Sequence, residues 1–308
     1  MTVSERRPRG DGRRHAVGDG LWRIVAAAPA VLGSSLLTLA SVPLGPWAAL
    51  FPLVWVASAA VLLTRVGERI AVRGAYRFGR PSAVQAVVLQ PAWATALRMT
   101  GTAAGDVELY VQAARVPNAY AAGGRSVAVT SRAVEDCKSG RLSENQLVAV
   151  LVHELGHHAS GATRPMLLVS WLAAPWRVAR NLLIALASVL AGRQSQRGAM
   201  VAVVVGLAVA VTRTLHQGQW MVGGVLVFLG LAVVLCPLAD AAISRRAEFV
   251  ADRFAADHGL ALQLAAALGA MDDGQPAASG RLRLLLASHP TSERRIRALL
   301  AANTASRV

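Results

Sequence analysis

The chain has 308 residues, of which 54% are apolar and only 16% charged, with a mean hydropathy of +0.44 and a net charge of +15. Its apolar residues gather in long uninterrupted runs, which excludes an ordinary fully soluble protein and indicates membrane spans. All but one of the 32 basic residues (Lys138) are arginine, and they flank the apolar runs without any nucleic-acid-binding signature, so the expected partner is a lipid bilayer and not nucleic acid.

Residues 1–20 are polar and rich in arginine and glycine, the composition of a disordered basic tail. Two apolar stretches, 24–42 and 47–63, follow with only a short link between them, so residues 21–64 are expected to form a transmembrane hairpin. Arg6, Arg7, Arg9, Arg13 and Arg14 precede this hairpin, and Arg65, Arg69, Arg73, Arg77 and Arg80 follow it. The positive-inside rule then puts both flanks in the cytoplasm, as expected for a multi-pass protein of the plasma or inner membrane with its active part facing the cytoplasm.

Residues 65–164 form a first soluble part. The stretch 82–101 reads as helix, DVELYVQAA and SVAVTS alternate like strands, and PNAYAAGG between them reads as a short edge strand or turn. Ser143 and Gln146 have the spacing of a capping box and open a helix over 143–159. Its LVAVLV run is expected to be the buried face of a soluble helix. Residues 165–243 are a second hydrophobic block with spans over 199–211 and 220–243. The piece 165–192 carries Arg177 and Arg180 mid-run, which favours an interfacial or broken helix. Four spans are expected in all. Residues 244–308 return to polar, helical sequence. Cys137 and Cys236 fall in a polar and an apolar segment, and do not suggest a disulfide framework.

The helix over 143–159 contains His153, Glu154, His157 and His158. Residues four apart share a helical face, so His153 and His157 can chelate one metal ion. Glu154 is rotated by about 100° from His153 and is placed as general base for a water at the ion's open position. His158 points to another face and is expected to stand outside catalysis. A catalytic ion of this kind needs a third protein ligand, and downstream Glu248 and Asp252 again lie four apart. Glu248 as ligand, with Asp252 supporting a ligand imidazole, completes a set suited to one zinc ion per chain.

Four stretches in this order, PNAYAAG, HELGH, EFVAD and SHPTSERRI, give the chain its resemblance to the HtpX-type, CAAX prenyl protease 1-like family of membrane zinc metallopeptidases. The resemblance implies a mostly α membrane protein with a cytoplasmic α+β, zincin-like catalytic domain built on a small sheet and an HExxH helix. It implies zinc held by His153, His157 and Glu248, with Glu154 as base. It also implies that the strand at Asn118, Ala119 and Tyr120 pairs with extended polypeptide substrate, and that His289 and Arg295 lie near the site as further catalytic candidates. Tyr120, His289 and Arg295 are candidates to stabilise an oxyanion. The expected activity is metalloendopeptidase, in membrane protein quality control, with membrane proteins or extended peptides as substrates. Two rivals are a site-2-type intramembrane protease, for which Asp240 would be the third ligand, and a zinc-binding membrane scaffold or sensor without turnover.

Overall fold

A computed structural model describes residues 27–39, 41–161, 163–190, 196–272 and 290–305. The expected disordered tail, residues 1–20, and His289 lie outside them. The chain begins with helix α1 (Ala27–Leu39), a 3-10 turn (Val42–Trp47) and α2 (Leu50–Val61). α2 presents Leu50, Phe51, Leu53, Val54 and Val56 outward, as a lipid-facing helix does. It meets α3 (Arg65–Gly74) at a corner of 99°. Thr64 caps α3 by accepting from the Gly67 N–H. A Cβ at Gly67 would lie 2.0 Å from the Val61 carbonyl oxygen, so glycine is what lets the corner close.

The chain after α3 combines a four-stranded sheet with helices α4 (Ala83–Thr100), α5 (Ser131–Lys138) and α6 (Glu144–Ala159). Strands β1 (Phe78–Gly79), β2 (Glu108–Gln112), β3 (Ala119–Ala122) and β4 (Ser126–Thr130) lie in the order β1-β2-β4-β3. β2 and β4 are parallel, with Tyr110 opposite Ala128, and β3 returns antiparallel, with Tyr120 opposite Ala128. β3 is therefore an edge strand, as PNAYAAGG suggests. All five residues of β4 are buried, so the sheet is covered on both faces.

The expected capping box at Ser143 is present, and the structure adds two helix caps that were not expected. Ser82 with Gln85 and Ser143 with Gln146 form reciprocal capping boxes at α4 and α6. Thr130 caps α5 by accepting from the Ala133 N–H. In α6, Leu147 through Gly156 are all buried, so LVAVLV is enclosed on every side and is not one buried face. An apolar helix without a polar stripe belongs in the middle of a core. Here it is surrounded by α4, the sheet, and helices α10 (Trp220–Asp257), α11 (Ala261–Asp272) and α12 (Ser292–Ala305).

α7 (Arg164–Leu172) and α8 (Ala174–Leu190) are separated by a break at Ala173, which agrees with the expected broken helix. Trp171 stacks on Trp55 at 4.4 Å and donates to the Ser58 hydroxyl at 2.9 Å, tying α7 to α2. α9 (Gln196–His216) packs between α8 and α10.

The four expected spans are not reproduced by the helix lengths. Among the described residues, α10 alone is long and apolar enough to cross a membrane, and α2 with α3 passes the same test only as a bent pair. The apolar helix Ala27–Leu39 and the apolar part of α9, Val201–His216, are shorter than the roughly 20 residues that a crossing requires. α10 itself runs without interruption through residues 243 and 244, past the end of its apolar portion.

Candidate metal centre

α6 and α10 cross at Gly156. A Cβ at that position would come within 3.0 Å of Phe254 Cβ and 3.2 Å of Ala251 Cα, so a side chain there would hold the helices apart. The close crossing sets the carboxylates of α10 against the imidazoles of α6. His153 Nε2 lies 3.4 Å from Glu248 Oε2, and His157 Nε2 lies 3.6 Å from Glu248 Oε1. The two rings meet edge to face, with centroids 4.9 Å apart. Ligand atoms of His153, His157 and Glu248 all lie within 4.8 Å of one another, the one such cluster among the described residues.

The donor set fits zinc. Two imidazole nitrogens and one carboxylate are a recognised zinc donor set, and here each imidazole Nε2 faces an oxygen of the same Glu248 carboxylate. The remaining nitrogen of His153 is engaged as a bound imidazole requires, with Nδ1 3.0 Å from Asp252 Oδ1, which leaves Nε2 toward Glu248. Asp240 is not in the cluster, although it shares α10 with Glu248.

Arg295, on α12, reaches into the same place. Its Nε and Nη2 donate to Asp252 Oδ2 and Oδ1 at 2.9 and 2.6 Å, and its Nη1 lies 2.9 Å from Glu248 Oε2. Nη2 also lies 3.4 and 3.2 Å from the two ring nitrogens of His153. His153, Glu154, Glu248, Asp252 and Arg295 are each less than 9% exposed, so these charges compensate one another away from water.

The titration of the cluster follows from that compensation. Burial pulls His153 toward neutrality, but hydrogen bonds to Asp252 and Glu248 outweigh it and lift the imidazole to about 9. His157 is pushed down to about 4, first by burial and then by the neighbouring charge of His153. Burial also opposes ionisation of Asp252, yet its bonds to His153 and Arg295 hold the carboxyl below the usual range. A metal ion at Nε2 takes the place of a proton, and the two carboxylates that favour one favour the other.

The chain matches the sequence profile of peptidase family M48 over residues 82–303, most of its length. The chain belongs to peptidase family M48. A solved structure similar to this M48 chain is the crystal structure of Ste24p from S. mikatae, at 15% identity and a TM-score of 0.45. The alignment covers 92% of this chain and 65% of that one, so this chain spans about two thirds of the length of its structural relative. Curated proteins yield no match. The matched residues take in every member of the cluster.

The structure brings five of the expected residues, His153, His157, Glu248, Asp252 and Arg295, into one cluster, with Glu154 buried beside His153. Asn118, Ala119 and Tyr120 lie at the sheet edge, where Asn118 Oδ1 accepts from the Ala119 N–H and Tyr120 stays 36% exposed. His158 does face elsewhere. Its Nε2 lies 3.2 Å from the Ser126 carbonyl oxygen and its Nδ1 3.1 Å from the Thr163 hydroxyl. Arg295 adjoins its partners only through the packing of α12, so no local pattern in the sequence assigns its role. Glu68, an acid buried among the arginines of α3, was not among the expected site residues. The available signal was a lone carboxylate in an Arg-rich amphipathic helix.

Proposed function

We propose that this M48 peptidase is a zinc-dependent, membrane-bound metalloendopeptidase. The observation that carries the reading is the buried convergence of His153 Nε2, His157 Nε2 and the Glu248 carboxylate, backed by Asp252. Zinc held by these three residues supplies Lewis-acid polarisation of the scissile carbonyl and activation of the hydrolytic water. Glu154, one residue along α6 from His153, accepts the water proton on a carboxylate oxygen and returns it to the leaving amine. Asp252 keeps a proton on His153 Nδ1, so that Nε2 presents its lone pair. Arg295 acts on the carboxylates and not on substrate, holding Glu248 and Asp252 in place.

Substrate reaches this site as extended chain. β3 is an edge strand, and an added strand pairs with such an edge through main-chain hydrogen bonds whatever its side chains. Residues 118–120 are thus the substrate strand. The lipid-facing α2 and the long α10 make membrane proteins the substrate class within reach, as quality control would require. By the positive-inside rule the site faces the cytoplasm, and residues 65–164 and 244–308 contribute the two halves of the catalytic part.

The reading is tested on detergent-purified protein by zinc quantification and casein digestion. Wild type is expected to hold one zinc per chain and to cleave casein. Glu154→Gln should keep its zinc and lose at least about 100-fold in rate, since the general base is gone. Glu248→Ala should lose most of its zinc. Full activity in Glu154→Gln would remove the mechanism, and an unchanged zinc content in Glu248→Ala would remove Glu248 from the ligand set.

A further inference from the structure

The turn that ends β3 is gripped by a residue from outside the metal cluster. Glu68 of α3 is 3% exposed, and its carboxylate accepts three hydrogen bonds from consecutive residues of the β3–β4 turn. The Gly124 N–H donates to Oε2 at 3.0 Å, and the Arg125 N–H and Ser126 hydroxyl donate to Oε1 at 2.8 and 2.7 Å. Gly123, at φ +62°, leaves the room: a Cβ there would lie 2.5 Å from the Glu68 carboxyl carbon. From the opposite side the same turn meets α6, where His158 Nε2 lies 3.2 Å from the Ser126 carbonyl oxygen.

β3 is poorly equipped to set its own register. It is four residues long and reads Ala-Tyr-Ala-Ala, so it offers little side-chain bulk to resist slippage along β4, and a slip of one residue inverts every side chain. Burying a carboxylate is costly unless it is fully hydrogen-bonded, which makes it a poor choice for mere packing. One helical turn further on, Val72 packs α3 against the sheet beside Phe78, Tyr110 and Ala128 without any such cost. What the carboxylate adds is a directional hold on the turn backbone, anchored through α3 to the tight Gly67 corner with α2.

We propose that Glu68 is a positioning residue that holds edge strand β3 in register to receive extended polypeptide, a role that rests on the metalloendopeptidase reading above. It touches neither metal ligand nor substrate and acts through the Gly124 and Arg125 main-chain N–H groups and the Ser126 hydroxyl. Its loss therefore weakens binding of substrates long enough to pair along β3, and leaves the metal in place.

The test uses the full chain in detergent, loaded with zinc, as wild type, Glu68→Gln and Glu68→Ala. Kinetics are read with a ten-residue extended peptide and with a four-residue peptide, alongside zinc content and amide hydrogen exchange over residues 119–126. Glu68→Ala is expected to bind zinc as wild type does and to exchange faster across β3. Its KM for the ten-residue peptide should rise about tenfold with kcat changed less than about threefold, the pattern of lost uniform binding. The four-residue peptide should show a smaller rise. Glu68→Gln keeps one acceptor oxygen but turns an amide toward the Gly124 N–H, so its KM should fall between the two, and it carries the test if the alanine variant does not fold. An unchanged KM for the long peptide, or activity lost together with zinc, overturns the proposal. If zinc-loaded wild type cleaves neither peptide, the peptidase reading fails by itself, and unchanged exchange over 119–126 in the variants then overturns the clamp.

Discussion

Arg295 shows how a single side chain can bridge two buried acids. It bridges Asp252 and Glu248, while His153 leans on the same two carboxylates. Replacing Arg295 by Met leaves both acids buried with less positive charge to meet them, and removing one member of such a group costs about 3 kcal/mol. The loss should be large in metal-free protein and mostly recovered with saturating zinc, whose own charge meets the carboxylates. Thermal unfolding with chelator and with zinc reads the difference; equal losses in both would reduce the guanidinium to packing. At this scale His153, Glu154 and His157 were legible because one helical turn sets their geometry. Glu248 and Asp252 were legible for the same reason. Arg295 was visible only as a nearby candidate, because its contacts join residues 43 and more positions apart, where no periodicity applies.

Among the elements, the crossing of α6 and α10 decides whether the ligands meet. Gly156 lies inside HELGH, where it is an ordinary small residue by sequence, and its purpose emerges only against Phe254 and Ala251. Gly156→Val forces the helices apart by its added methyl groups. It should destabilise the protein by about 1–3 kcal/mol, the usual cost of overpacking, and lower zinc content because Glu248 retreats from the histidines. Zinc analysis of the folded variant checks this, and a full complement of zinc would show that α10 can shift without opening the site. The capping box at Ser143 and the edge position of β3 were legible, since caps and alternation are local signals. The full burial of α6 was not: LVAVLV looks the same whether one face or all are covered, and the neighbours that cover it come from distant parts of the chain.

At the scale of the whole molecule, α10 joins an apolar portion to the third expected ligand in one rod of 38 residues, about 57 Å long at helical rise. The candidate ligands lie on both α6 and α10, so an ion held by them would link elements almost 100 positions apart in the chain. A ligand at 1,000 times its Kd stabilises the native state by about 4 kcal/mol. Chelation should therefore lower the Tm measurably and abolish casein digestion together, and added zinc should restore both. A Tm indifferent to chelator would separate the cluster from metal binding. The count of spans was the weakest reading at this scale, because apolar runs specify what a segment tolerates and not how long its helix becomes.

The chain alone marked the candidate metal-ligand residues and the helix on which His153 and His157 sit. Each of these depends on side-chain chemistry and on spacing within a turn or two of helix. Tertiary structure decided the assembly: that α10 reaches α6 through Gly156, that Arg295 comes to rest on the two acids, and that Glu68 grips the turn beside β3. Those contacts bring together residues between 43 and 142 positions apart. Their partners are chosen by the packing of whole helices, which no local pattern records.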